Sequence, residues 1–312
     1  MRTARQLLVI GYPSRLLADH RALLAAAGAA GFEAELVSPS RLGLEVSPTG
    51  EQVVLDGLAP LPDQNPLPDR GVLPEVVLPR GVNRPWPLLR QVLACWQRAG
   101  VRVVPDVAAA EFCADKLVTT RALVAAGVPV LPTVGVAPGP GVVLPGGIGT
   151  GELVAKPARA SKAAGVERYS DPASAQAALG TTRSLLAGLV DHHVVQPLAT
   201  GAGTDYRVIV ARVGHRVLVP AVTRRHASAG GFVTDGEVED VHDPWRDVPE
   251  VVEVATRAVL ALGLAFGGVD VIEHEGRAVV LEVNAWPGLA AEVRGWQLAE
   301  VLVEVAASEP AP

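Results

Sequence analysis

A chain of 312 residues, 49% hydrophobic and 19% charged, can bury a large core and has room for two or three domains. A net charge of −6, with no Lys/Arg stripe interleaved with aromatics, argues against a nucleic-acid partner held by counterion release. No uninterrupted apolar run reaches the roughly 20 residues of a membrane span, and Cys95 and Cys113 have neither the number nor the spacing of a disulfide framework or a zinc site.

The opening MRTARQLLVIGY reads as basic residues ahead of a buried first strand rather than as a signal peptide, which predicts a cytoplasmic protein. RLLADHRALLAAAGAAG follows as a helix closed by Gly31, and EAELVSP as a second strand, so the chain begins with a βαβ unit. QVVLDG, a proline-rich loop LAPLPDQNPLPDRG, a strand EVVLPRG, a helix PWPLLRQVLACWQRAG stopped by Gly100 and a strand VRVVP complete one α/β layer over residues 1–105. A helix AAEFCADKLVTTRALVAAG, a strand VPVLPTVGV and a Pro/Gly loop come next. LVAKP, a helical AQAALGTTRSLLAGLV and DHHVVQPL then lead to a boundary near Gln196. Residues 106–195 and 196–312 are thus expected as two further domains. The last has strands DYRVIVARVG and RVLVPAVTRR, a polar loop, a helix VPEVVEVATRAVLALGL and a hairpin GGVDVIEHEGRAVVLEVN.

That hairpin carries an unexpected pair of polar residues, Glu282 and Asn284, on an apolar strand just before Pro287-Gly288. A two-residue Glu275-Gly276 turn sets Asp270 opposite Leu281. A three-residue Glu275-Gly276-Arg277 loop with positive φ at the glycine sets Asp270 opposite Glu282 instead. The second register gathers Asp270, Glu282 and Asn284 on one face and leaves Val269, Val271, Val279, Leu281 and Val283 on the other, so it is the one expected. Two carboxylates so placed repel each other unless a cation lies between them, and Asp, Glu and Asn oxygens suit a magnesium ion whose remaining ligands are phosphates and water.

A magnesium nucleotide at that face calls for lysines. The chain has three, Lys116, Lys156 and Lys162, all in one region. Lys156 ends the apolar strand LVAKP, where a solvated lysine gains nothing, and the small-residue loop ARASKAAGV after it can approach phosphates through backbone N–H groups. Neither a P-loop nor a dinucleotide Gly-x-Gly-x-x-Gly after the first strand is present.

FCADKLVTTRALVAAGVPVLPT, LVAKP, HHVVQPLATGAGTDYRVIV, VPAVTRR, GGVDVIE and LEVNAWPGL, in this order from about Glu75 to the end, resemble the ATP-grasp superfamily. Within it they are similar to the branch of ribosomal-protein-modifying glutamate ligases and related amino-acid ligases. The resemblance implies a Rossmann-like N-terminal domain followed by two α+β subdomains that clasp ATP. It implies phosphate binding by Lys116 and Lys156, an adenine hinge at Gln196, Pro197 and Leu198, a ribose contact at Asp205, and magnesium, or manganese in its place, on Asp270, Glu282 and Asn284. Arg207 and Arg224 are implied as catalytic groups near the phosphates, and Arg80 as a substrate-carboxylate ligand.

The chain departs from that pattern in two places. Its phosphate loop carries Lys162 where small residues are usual, and in GGFVTDGEVED Val233 and Asp235 stand where the family has an arginine and an asparagine. Lys162 or Arg225 is a candidate to restore the missing charge, and Asp235 is expected to meet a substrate amine on a closing loop. The implied activity is ATP-dependent joining of a carboxylate to an amine on an amino acid or small peptide. Intramolecular ring closure and nucleotide binding without turnover are the alternatives, and a homo-oligomer is compatible with all three.

Overall fold

The computed structural model describes residues 5–12, 18–55, 73–80, 87–160, 163–181, 192–289 and 295–308. Contacts divide the chain into two units. One comprises Met1–Ala110, Ala211–Pro220 and Trp286–Pro312, and the other Glu111–Val210 and Ala221–Ala285.

The first unit is built on four short strands, β1 (Arg5–Ile10), β2 (Phe32–Val37), β5 (Val76–Pro79) and β6 (Arg102–Val103), in the order β2-β1-β5-β6 and all parallel. A parallel strand covered on both faces requires a continuous apolar run, and Leu7, Leu8, Val9 and Ile10 of β1 are each at most 2% exposed. Helix α1 (Ala18–Ala29) follows β1, and α2 (Pro87–Arg98) presents Leu89, Val92, Leu93 and Trp96 at helical spacing to Leu8, Ile10 and Val77. The expected QVVLDG strand is β4 (Gly50–Leu55), and its antiparallel partner β3 (Leu42–Ser47) was not anticipated. Helix α3 spans Val107–Cys113. At the far end of the chain, α8 (Gly295–Ala307) packs on α1.

The second unit has two sheets. Helix α4 (Lys116–Ala125) precedes an antiparallel sheet of order β7-β10-β8-β9, formed by β7 (Val134–Val136), β8 (Leu153–Pro157), β9 (Glu167–Tyr169) and β10 (His193–Pro197), with α5 (Pro172–Thr181) packed against β8 and β9. The five-stranded sheet runs β13-β12-β11-β14-β15, from β11 (Thr204–Val213), β12 (Arg216–His226), β13 (Val238–Asp240), β14 (Phe266–His274) and β15 (Arg277–Asn284). A short α6 (Pro244–Asp247) leads into α7 (Pro249–Ala261), which lies on the β14–β15 hairpin.

The hairpin reaches the expected pairing by a different route. His274 pairs with Arg277, so the turn has two residues, and Glu275 (φ 52°) and Gly276 (φ 75°) both adopt the left-handed conformation of a type I′ turn. That turn alone would set Asp270 opposite Leu281. A bulge at Leu281 inserts one residue, and beyond it Asp270 pairs with Glu282 and Gly268 with Asn284. The faces change accordingly. Val269 and Val283, and Val271 and Val280, share the buried apolar face, whereas Val279 pairs with Ile272 on the side of Asp270 and packs with Leu131 and Ala199.

Candidate functional site

The bulge brings the side chains of Asp270 and Glu282 onto one face of neighbouring strands. Asp270, 6% exposed, takes a fork of hydrogen bonds from Arg207: Nη2 donates to Oδ2 at 2.8 Å and Nε donates to Oδ1. Arg225 Nη2 lies 3.1 Å from Asp270 Oδ2 as well. Burial alone would push the Asp270 carboxyl up, but Arg207 and Arg225 outweigh it and hold it below the usual carboxylate range.

One lysine comes in from helix α4 and the other from the four-stranded sheet. Lys116 opens α4, whose N-cap Asp115 accepts from the backbone N–H groups of Leu117 and Val118 at 3.0 and 3.2 Å. Lys116 Nζ donates to Ala160 O at 2.5 Å and stands 3.4 Å from Glu282 Oε1. Lys156 on β8 is 6% exposed. Burial pushes its ammonium down to about 8, the neighbouring charge of Lys116 adds to that, and Glu282 and Asp270 pull the other way. Two of the chain's three lysines therefore converge on the carboxylates of the hairpin. Lys162 lies outside the described residues.

Strand alternation separates the two arginines of VTRR. Arg225 faces Asp270, so Arg224 faces away from it: Arg224 is exposed, with its guanidinium 6.0 Å from the Tyr206 ring centroid. Of the two, Arg225 and not Arg224 is the arginine beside Asp270 in this structure. Arg225 also holds Asp205, donating Nε to Oδ1 and Nη2 to Oδ2, both at 2.7 Å, and Thr234 Oγ1 donates to the same Oδ2 at 2.8 Å. Asp205 is 2% exposed, and burial, with the nearby Asp270 charge, raises its carboxyl despite Arg225. In this structure both of its oxygens accept from protein donors, Arg225 and Thr234, at the position for which the resemblance implies a ribose contact.

Asp235, expected on a substrate amine, is exposed and accepts the Ser228 backbone N–H at 3.1 Å within its own loop. Gln196 is buried with its amide donating to Thr133 Oγ1 at 2.9 Å, and the Leu198 N–H donates to Glu152 O at 2.8 Å, so both belong to the sheet's internal bonding. Pro197 and Leu198 nonetheless line a cavity of about 470 Å³. Arg80, in the first unit, is 3% exposed, donates through Nη2 to Asp19 Oδ2 at 3.4 Å and to Pro287 O, and has its pKa lowered, chiefly by burial. Asp19 Oδ2 also accepts the Leu289 N–H at 2.9 Å, so in this structure Arg80 braces the segment after the hairpin.

The donor set suits a hard divalent cation: two adjacent carboxylates and the half-buried Asn284 amide, beside lysines fit for phosphate. Among the described residues no three His, Cys, Asp or Glu side chains gather as a ready-made metal site, so a cation here would rest on Asp270, Glu282, Asn284 and ligand oxygens. Sequence reasoning missed Asp115, which beyond its cap accepts from Arg159 Nε at 3.2 Å and lies 3.4 Å from His192 Nε2, tying the start of α4 to the loop after Lys156. An acid directly before a helix with no acid in its first turn was the available signal. It also missed Thr234, for which no sequence signal existed.

Three comparisons bear on this arrangement. Residues 175–305 match the family described as RimK-like ATP-grasp domain. A probable alpha-L-glutamate ligase of Xanthomonas campestris pv. campestris is 38% identical over 105 residues, 33% of this chain and 35% of that protein, so the matched stretch spans about a third of that relative. A probable alpha-L-glutamate ligase of Alkalilimnicola ehrlichii is 27% identical over 288 residues, 91% of this chain and 88% of that one. The crystal structure of a RimK domain ATP-grasp protein from Sphaerobacter thermophilus superposes with a TM-score of 0.64 at 21% identity, covering 96% of this chain and 99% of its own, a likeness of fold.

Proposed function

This chain is an ATP-grasp protein by fold, with a RimK-like ATP-grasp domain over residues 175–305, and on that footing we propose that it is an ATP- and magnesium-dependent carboxylate–amine ligase. The observation that carries the reading is Lys116 Nζ standing 3.4 Å from Glu282 Oε1, with Asp270 paired to Glu282 across the bulged hairpin and the buried Lys156 of β8 within reach of their charge. Four cationic groups, Lys116, Lys156, Arg207 and Arg225, there face three carboxylates, Asp205, Asp270 and Glu282, an arrangement suited to a polyanion brought in with a metal.

In this reading the four-stranded sheet, with β8 and α4, supplies the phosphate lysines from the 106–195 region. The five-stranded sheet supplies the metal carboxylates from the region after Gln196. Bound magnesium would neutralise the phosphoryl oxygens and withdraw charge from them. Lys116 and Lys156 hold the triphosphate in line with the carboxylate to be activated. Arg207 and Arg225 stand where negative charge grows as the phosphoryl group reaches the carboxylate oxygen, giving an acyl phosphate and ADP. The amine nitrogen then attacks the acyl carbon and phosphate leaves, which requires no covalent enzyme nucleophile. Positioning and preorganised charge carry most of the rate.

The names of the relatives support an amino acid, glutamate foremost, as one partner in the ligation. ADP release measured with magnesium, ATP and a panel of amino acids and short peptides tests the reading. Amino-acid-dependent ADP release with a product of the summed mass less water supports it, and ATP binding without ADP release for any member of the panel refutes it in favour of binding without turnover.

A further inference from the structure

The carboxylate that opens α4 does more than its cap requires. An N-cap needs one acceptor oxygen, and Asp115 Oδ1 supplies it to the Leu117 and Val118 N–H groups at 3.0 and 3.2 Å. Asparagine or serine would serve there as well. The second oxygen, Oδ2, is left over, and it accepts Nε–H of Arg159 at 3.2 Å, from the segment that follows β8. Asp115 is buried and Arg159 exposed. An ion pair with one partner in water adds little to stability, so the effect of this one is on geometry.

The pair closes a ring around Lys116. Ala160 follows Arg159 in the chain, and its carbonyl accepts from Lys116 Nζ at 2.5 Å. The backbone end of the same lysine is held by the same segment: Lys116 N–H donates to Ala158 O at 3.0 Å, and Ala158 N–H donates to His192 O at 3.1 Å. His192 Nε2 in turn lies 3.4 Å from Asp115 Oδ1. Ala158 and Ala160 thus fix the two ends of Lys116, and the Asp115 side chain grips Arg159 between them. On its other side the guanidinium donates from Nη1 to Glu111 Oε1 at 3.2 Å. A lysine on its flexible four-carbon stem loses much rotamer freedom when a phosphate orders it, and an ammonium already held in place avoids that cost.

Resting on the ligase reading above, in which Lys116 binds phosphate, we infer that Asp115 and Arg159 are positioning residues: the bond from Arg159 to Asp115 Oδ2 holds Ala160 O in place, and Ala160 O holds the Lys116 ammonium beside Glu282. Neither residue needs to touch the nucleotide, and both act through Lys116. Loosening the ring leaves the lysine present but unordered, which forfeits about one charge-assisted hydrogen bond to phosphate, or about tenfold in affinity.

Calorimetry of ATP binding with magnesium tests this on the full chain. Asp115→Asn keeps the cap oxygen and turns an amide N–H₂ to Arg159 where an acceptor stood, and it should weaken ATP by about tenfold. Arg159→Gln, at an exposed position where folding is not at stake, should do the same, and Arg159→Lys, which keeps a cation opposite Asp115, should recover most of the loss. The loss should also require Lys116: Asp115→Asn added to Lys116→Met should weaken ATP no further than Lys116→Met alone, because residues that act as one unit are not additive. Arg159→Gln binding ATP as tightly as the unaltered protein, Arg159→Lys binding no better than Arg159→Gln, or losses from Asp115→Asn and Lys116→Met that add in full overturn the inference alone. Failure of the unaltered protein to bind ATP overturns the ligase reading and this inference with it.

Discussion

Arg225 Nη2 lies 3.1 Å from Asp270 Oδ2 while Arg225 also forms a two-bond fork with Asp205, so one guanidinium bridges two buried carboxylates of neighbouring strands. Burial works against its charge, yet Asp270 and Asp205 outweigh it and raise its pKa. Removing such a bridge strands two acids in the interior, a different matter from removing the exposed Arg224 one residue earlier.

Arg225→Ala should therefore lower stability by about 3 kcal/mol and reduce ADP formation by roughly a hundredfold. Arg224→Ala should change stability by no more than about 0.5 kcal/mol and retain turnover. Thermal denaturation and ADP release on the pair of variants check this, and a reversed order would place the working arginine on the other face of β12.

Lys156 gives the site a pH dependence. In the free protein burial brings its pKa to about 8, and a phosphate anion favours the charged form, so binding raises that pKa and draws in a proton. ATP affinity should be steady below about pH 8 and fall above it, by up to roughly tenfold per pH unit. Calorimetry at pH 8.5 in buffers of different ionisation heat should register net proton uptake, and Lys156→Gln should abolish it. Proton uptake unchanged in that variant would assign the titration elsewhere.

The turn of the hairpin offers a test independent of chemistry. Glu275 adopts φ 52° in a type I′ turn, where asparagine is favoured ahead of glycine. Glu275→Asn should stabilise the protein by about 0.5 kcal/mol and leave activity unaltered, and Gly276→Val should destabilise it by more than about 1 kcal/mol, both read from denaturant midpoints. A neutral Gly276→Val would contradict the turn geometry.

Much of this was legible beforehand because it depends on local rules. Strands β1, β2 and β8, helices α1 and α2, and the placing of Lys156 near the end of β8 and of Lys116 at the start of α4 follow from apolar period and from caps. The Asp270–Glu282 pairing was legible from chemistry, since an apolar face and a polar face have to be kept apart, but the bulge at Leu281 that achieves it leaves no mark in a single sequence. Arg224 and Arg225 show a sharper limit. Adjacent residues on a strand point to opposite faces, and which of them meets Asp270 is decided by the face to which β14 turns that carboxylate, and β14 lies far along the chain from β12. Strand β3 was hidden because LGLEVS shows no strict apolar alternation and takes its order from pairing with β4 and from Leu42 and Leu44 packing into the core beside α2. Asp205 and Asp235 took unexpected partners, Thr234 and Ser228, because loop closure is set by backbone contacts that composition does not encode.

The most direct measurement is ADP release by Glu282→Gln beside the unaltered protein, at matched magnesium and ATP and with the amino acid that gives the highest turnover. Glutamine keeps the shape at this half-exposed position and removes the negative charge that faces Lys116 beside the paired Asp270, so the fold should survive with an unchanged circular dichroism spectrum. A ligase built on this metal and phosphate cluster should lose ADP formation in the variant by at least roughly a hundredfold. Full turnover by Glu282→Gln at the same magnesium concentration would contradict the assignment of the hairpin carboxylates to catalysis.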